Sequence, residues 1–341
     1  MKRRSLFKSL SIVLIVLLLS VGCAPAAPAP TPAPAELTKI TFMSSNYLGS
    51  ASYYMSVMEG YFAEQGIELE HVISPPQREM LPLLIEGELD AMSHSFNTGL
   101  INAIAGGADV KLVAAGTPWV FDGCYAGGLL ARKELIESGA LDDLRNATMY
   151  RFALRAHSFP AYMVERFLRP ANLTVADLDI TTLETPIMGE ALAQGSIDVI
   201  WCGEPWTTRI LNEGNAAMWK GDAEIWPGYS TGGIVFGSRL LEDRDLGQRF
   251  LTAIAKGLLQ FVEGKTDRNL ELAAEFTELD RELLEQVCWP TVWTGQPNLE
   301  GWVDYQDWAL NEGLIDSALT PEQYWDGSFL ERAMRDLGQT Q

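Results

Sequence analysis

A Gly-x-(Leu/Ile)-Asp turn that leads from a helix end into a short strand and an aromatic loop stands at two corresponding places in this chain, and that repeated order limits the folds open to it. Glu86-Gly-Glu-Leu-Asp-Ala-Met-Ser-His-Ser-Phe-Asn97 and Gly195-Ser-Ile-Asp-Val-Ile-Trp-Cys-Gly-Glu-Pro-Trp206 have the same order: a helix end, a Gly turn, Leu or Ile, Asp, a short buried strand, then a polar and aromatic loop. Each unit closes one half of the sequence. Ligands of open α/β sheets sit outside the carboxyl ends of the strands. The pair therefore predicts two similar α/β lobes whose strand ends face a shared cleft.

The rest of the chain supplies the alternation that such lobes need. Strands are expected at Thr38–Met43, Ile67–Ile73, Leu89–Met92 and Val110–Ala115, with helices from Ala51, from Pro75 and Pro76 to Gly87, and ending over Asn102–Gly107. Strand and helix alternating in this way predict a mostly parallel sheet covered by helices. Gly and aromatic residues replace the alternation over Trp119–Gly128, where a change of lobe is expected. The second lobe follows with strands at Thr148–Arg155, Asp179–Leu183 and Ile197–Cys202 and helices at Pro160–Leu168 and Met188–Gln194. Tyr229–Phe236 is the expected return crossing. The lobes are thus drawn as residues 37–125 with 232–341, and residues 126–231. Beyond the crossing, Leu246–Phe261 has the spacing of one buried helix face, and Thr320-Pro-Glu-Gln323 has the pattern of an N-cap, a first-position Pro and a capping-box partner.

At 341 residues the chain is long enough for two domains. Lys2, Arg3, Arg4 and Lys8 precede an apolar run, Ile12–Leu19, that is shorter than the roughly 20 residues of a membrane helix, so residues 1–22 read as a signal peptide. Leu19-Ser-Val-Gly-Cys23 resembles a bacterial lipoprotein cleavage box, with Ser20 where an aliphatic residue is usual. That assigns Cys23 as a lipidation site and residues 23–36, rich in Pro and Ala, as a tether; polyproline II at about 3.1 Å per residue would span roughly 35–40 Å. The expected location is the extracytoplasmic face of the cell membrane, held by acyl chains. Removal of residues 1–22 leaves 21 basic against 45 acidic residues, a formal charge of −24 in place of −20. So acidic a chain argues against nucleic acid and against charge-driven binding to anionic lipid. Cys124, Cys202 and Cys288 are an odd number without metal-site spacing; a Cys124–Cys202 bridge and buried free thiols are both open.

Glu59-Gly-Tyr-Phe-Ala-Glu-Gln-Gly-Ile-Glu-Leu69, Leu84-Ile-Glu-Gly-Glu-Leu-Asp-Ala91, Ala191-Leu-Ala-Gln-Gly-Ser-Ile-Asp198 and Glu204-Pro-Trp206 resemble the landmarks of ABC-importer solute-binding proteins. The group includes binding proteins for aliphatic sulfonates, nitrate, the thiamine-precursor pyrimidine and riboflavin. The resemblance runs from about residue 38 to the C-terminal helices. It implies the two-lobed periplasmic-binding-protein fold, type 2, with crossing segments, a ligand in the cleft and delivery to a membrane permease. It implies a monomer, with a ligand and no cofactor.

The candidate cleft loops are Ser44–Tyr54, Ser93–Thr98, Thr117–Tyr125, Arg155–Tyr162, Glu184–Met188, Trp201–Trp206 and Tyr229–Gly233. Arg155 is their only Lys or Arg, which argues against sulfonate or nitrate, since a small anion needs several positive or amide donors. Aromatic residues are abundant, and stacked pairs contribute about 0.5–1.5 kcal/mol each beyond burial. The expected ligand is flat and largely neutral. The candidate ligand-binding residues are Asn46, Tyr47, His94, Phe96, Asn97, Trp119, Arg155, Phe159, Glu184, Trp201, Glu204 and Trp206. Asp122, Glu184 and Glu204 suit hydroxyl groups, which with the rings points to riboflavin or a related flavin, and to the thiamine-precursor pyrimidine as the alternative. An enzyme is the rival class. The chain has no His-Glu-x-x-His, phosphate loop or Cys-x-x-Cys, and its three histidines, His71, His94 and His157, are too dispersed for a metal cluster by spacing.

Overall fold

The computed structural model describes residues 37–45, 47–73 and 77–339. The leader, Cys23, the tether, Asn46 and the helix start expected at Pro75 and Pro76 lie outside the described residues. Ten strands form two five-stranded sheets. The first contains β1 (Thr38–Ser44), β2 (Ile67–Ile73), β3 (Ala91–Ser95), β4 (Lys111–Ala115) and β10 (Gly232–Phe236), in the order β2-β1-β3-β10-β4. The second contains β5 (Gly127–Arg132), β6 (Arg151–Ala153), β7 (Asp179–Thr181), β8 (Val199–Gly203) and β9 (Ala216–Gly221), in the order β7-β6-β8-β5-β9.

The two sheets repeat one design, and the repeated turn shows why. Gly87 and Gly195 end their helices at φ +80° and +68°, a left-handed conformation that costs Gly little. Asp90 and Asp198 then hold the neighbouring parallel strand in register. The Asp90 amide donates to the Thr41 carbonyl, and its carboxylate accepts from the Thr41 amide at 2.8 Å. Asp198 makes the same pair with Arg151, at 2.9 Å for the carboxylate contact. Both carboxylates are nearly buried and both face an arginine from the other side: Arg239 Nη1, in the short helix after β10, lies 3.0 Å from Asp90, and Arg132 Nε, at the end of β5, 3.0 Å from Asp198. Because this turn occupies Leu89-Asp90 and Ile197-Asp198, β3 and β8 start two residues later than expected.

A mostly parallel sheet was the expectation, and in each sheet four strands share a direction while one is reversed. β1 runs parallel to β2 and β3, and β6 to β7 and β8, whereas β10 is antiparallel to β3 and β4, and β5 to β8 and β9. β5 and β10 are the strands by which the chain enters the second sheet and returns to the first, so they arrive from the opposite end. Both open with a Gly pair followed by aliphatic residues, Gly127-Gly-Leu-Leu130 and Gly232-Gly-Ile-Val235, which the sequence reading did not connect. Neighbouring backbone leaves these glycines no room: a Cβ on Gly232 would lie 2.1 Å from the His94 carbonyl oxygen, and one on Gly128 2.3 Å from that of Lys220. The strands expected at Thr148–Arg155 and Asp179–Leu183 shorten to β6 and β7, and β9, whose apolar residues do not alternate, was not expected.

Helices α1 (Ala51–Met58), α2 (Gln77–Glu86), α3 (Thr98–Ala105), α4 (Phe159–Leu168), α5 (Thr185–Ala193), α6 (Trp206–Asn212), α7 (Arg244–Phe261) and α8 (Leu299–Asn311) cover the sheets. The capping box at Thr320 and Gln323 is present, with Pro321 opening a short helix. The chain from Leu37 onward is one compact unit. Its largest core runs without a break from Met92 and Phe96 of the first half to Leu129, Phe152 and Tyr162 of the second. Where α4 meets α8, Tyr162, Tyr305 and Trp308 pack ring against ring, and Asp304 accepts from the Tyr162 hydroxyl at 2.7 Å, Arg166 at 3.0 Å and Arg169 at 2.8 Å. Among the described residues no helix is long and apolar enough to cross a membrane.

Candidate ligand cleft

The two crossing segments meet at Trp119, whose amide donates to the Tyr229 carbonyl and whose carbonyl accepts from Gly228, both at 2.8 Å. Between the strand ends at this point lies a cavity of about 500 Å³, within the range of small-molecule sites. Trp119 and Phe159 form an aromatic wall, with ring centroids 5.7 Å apart, and Tyr229 backs both at 5.3 and 5.4 Å. Tyr47, more than half exposed on the turn before α1, and Tyr53 of α1 contribute from the first half.

The polar side chains are hydroxyls, two carboxylates and the His94 imidazole. Ser93 and Ser95 of β3 line the cleft with Thr117, Thr231, Asp122 and Glu204, and no Lys or Arg is among the described lining residues. Glu204 follows β8, and the Glu204–Pro205 peptide is cis. Oε1 accepts from the Thr208 hydroxyl at 2.7 Å and from the Cys288 amide at 2.9 Å, and Oε2 from the Thr208 amide at 3.2 Å. A carboxylate has about four acceptor sites, so about one is left for a ligand. Burial pushes the Glu204 carboxyl above its ordinary value, while these donors and Lys265 act in the other direction.

Sequence reasoning missed one whole wall of the site. The loop carrying Cys288, Trp289, Pro290, Thr291 and Val292 closes the cleft from beyond α7. It is fastened to the first crossing segment by a Cys124–Cys288 disulfide, Cα–Cα 5.6 Å, and by the Thr291 hydroxyl donating to Asp122 at 3.0 Å. The Cys124–Cys202 bridge is therefore not made; Cys202 is a buried free thiol, which burial pushes up to about 12. A run of Cys, Trp and Pro between the helix at Asp267–Thr277 and α8 was the available signal, but no periodicity places it.

The structure places the twelve candidates as follows. Tyr47, His94, Trp119, Phe159 and Glu204 line the cleft. His94 does so from the buried side of β3: its Nδ1 donates to the Ser95 carbonyl at 2.6 Å, and burial holds the imidazole below its ordinary value. Phe96 shares that inward parity and is core, stacked on Trp302 at 4.6 Å. Asn97 caps α3 through the Leu100 amide at 3.1 Å, and Glu184 is exposed at the start of α5. Arg155 is exposed outside the lining, and His157, 3.5 Å from Glu312, is no partner for His94 there. Trp201 stands behind Trp119 at 6.1 Å, and Trp206 packs behind β8 under Arg209. Asn46 lies outside the described residues.

Residues 33–274 match the model of the NMT1-like family. The chain belongs to that family. No curated protein sequence matches it. Among solved structures, this NMT1-like chain is similar to the periplasmic aliphatic sulphonate binding protein SsuA from Escherichia coli, at 17% identity and a TM-score of 0.70 over 86% of this chain and 99% of that one. It is similar to the periplasmic nitrate-binding protein NrtA from Synechocystis PCC 6803, at 11% identity and 0.68 over 89% of each chain. The desulfurization enzyme DSZB has the fold too, at 13% identity and 0.66 over 88% of this chain and 99% of that one. The NMT1-like chain thus has the periplasmic-binding-protein fold, which both binding proteins and an enzyme use.

Proposed function

We propose that the protein is the lipid-anchored, extracytoplasmic solute-binding component of an ABC importer, and that it captures a flat, largely neutral heteroaromatic solute, riboflavin or a related flavin, for delivery to a membrane permease. The observation that carries this reading is the cleft at the crossing segments: an aromatic wall of Trp119 and Phe159 faces hydroxyls, two carboxylates and the His94 imidazole, with no lysine or arginine among the described lining residues. A sulfonate or nitrate site needs positive or amide donors converging on the anion. Rings need stacking partners, and two or three aromatic contacts of about 0.5–1.5 kcal/mol supply a good part of the roughly 8 kcal/mol of micromolar binding. Asp122 and Glu204 suit the hydroxyls of a sugar-alcohol side chain.

Family membership, the two binding-protein neighbours and the leader with its tether support transport over catalysis. Fold alone does not, since DSZB shares it. Cys202, the one free thiol among the described residues, is buried and held protonated, which disfavours a cysteine nucleophile. The thiamine-precursor pyrimidine is the alternative cargo, because a smaller ring can use the same wall. Titration with each compound, following tryptophan fluorescence, separates them: saturable change with riboflavin supports the flavin, change with the pyrimidine alone supports the alternative, and no response to either removes the proposal.

A further inference from the structure

We infer that the cleft is selective for the unphosphorylated form of its ligand and rejects the corresponding phosphate monoester; this rests on the reading of the site as a heteroaromatic-solute cleft. Asp122 and Glu204 both line the cavity, from the crossing segment and from the loop after β8. A phosphate monoester brings nearly two negative charges into the same cleft, where repulsion is least screened at the half-buried Glu204 and more screened at the exposed Asp122. The surroundings supply little to offset it. Lys265 is close enough to act on Glu204, but its ammonium donates to the Glu285 carbonyl at 2.7 Å and is not among the lining residues. Arg155 is exposed outside the lining. The 3-10 turn that leads into α1 borders the cavity through Leu48, Gly49 and Ser50. A helix end carries about half a unit charge, against two whole carboxylates.

The carboxylates have a positive use as well. The acceptor site remaining on Glu204, and Asp122 beside Thr291, accept from O–H or N–H groups. An alcohol has such a donor; its phosphate ester has replaced it with acceptors. The site therefore takes the alcohol, and where the environment offers the ester, hydrolysis to the alcohol and inorganic phosphate must come before capture.

Calorimetric titration of the full chain in mild detergent with riboflavin and with riboflavin 5′-phosphate tests this. The expected result is binding of riboflavin with the phosphate at least about 10-fold weaker, as repulsion by one half-buried and one exposed carboxylate implies. In the Asp122→Asn variant, and further in Asp122→Asn with Glu204→Gln, the ratio between the two affinities is expected to narrow. Equal affinities in the wild type overturn the selectivity while leaving the flavin reading in place. A ratio unmoved in both variants overturns the assignment to these carboxylates. Absence of binding by either compound overturns both.

Discussion

Trp119 belongs to both the crossing and the site, because its backbone ties the two crossing segments together and its ring forms the cleft wall. Replacing it with Ala removes the ring and leaves the backbone hydrogen bonds. Trp119→Ala is expected to weaken ligand binding about 10- to 100-fold, or roughly 1.4–2.8 kcal/mol, with little change in the urea unfolding midpoint; unaltered affinity would move the ligand away from this wall. A second residue-scale prediction concerns pH. Asp222 is 2% exposed, and burial pushes its carboxyl up to about 7 from 3.8, with the Glu204 charge adding to the effect. The folded state keeps this proton up to about pH 7 while the unfolded chain releases it near pH 4. The contribution to stability is thus full below pH 4 and is lost as pH rises through 7. Asp222→Asn is expected to match the wild type near pH 4 and to exceed it by roughly 2–4 kcal/mol at pH 8; a difference independent of pH in urea unfolding contradicts this. Legibility at this scale followed strand parity. Strand-end loops were identifiable, so five of the twelve candidates line the cleft. Around β3 the reading selected His94, which reaches the cavity from the buried side, and Phe96, which is core, and passed over Ser93 and Ser95, which also line it, because alternation shows which residues share a face and not which face is open.

The repeated elements are the Gly-x-(Leu/Ile)-Asp turn and the Gly-Gly strand start. The first was legible because an αL turn and a strand-fixing carboxylate require particular residue types. The second was present in the sequence but carries no meaning until β5 and β10 are known to be reversed strands between close neighbours. Gly233→Ala would place a Cβ 1.9 Å from the Ala114 carbonyl oxygen. It is expected to cost about 3 kcal/mol or more, whereas Gly214→Ala, with φ +79° and nothing within 4 Å, is expected to cost only about 1 kcal/mol. Comparable unfolding midpoints for the two variants would show that the close approach is not stabilising. Asp198→Ala strands the Arg151 amide and two guanidinium groups, and about 2–4 kcal/mol of stability is expected to go with it.

Across the whole molecule, the two halves are joined by more than the crossing strands. One core is continuous through both, Asp304 of α8 gathers Tyr162, Arg166 and Arg169 of the region around α4, and the disulfide spans 164 residues. The disulfide was not legible because spacing carries no information about which cysteines meet, and the cleft-closing loop went unseen with it. Cys288→Ser is expected to lower stability by about 2–5 kcal/mol and to weaken ligand binding by loosening the loop that donates the Cys288 amide to Glu204. The central claim is that this cleft holds a flat, non-anionic ring. Equilibrium dialysis of the full chain and its Trp119→Ala variant against riboflavin, the pyrimidine, an aliphatic sulfonate and nitrate tests it most directly. The account predicts micromolar binding of one heteroaromatic compound, weakened in the variant, and no saturable binding of either anion. Tight binding of the sulfonate or nitrate, unaffected by loss of Trp119, would contradict it.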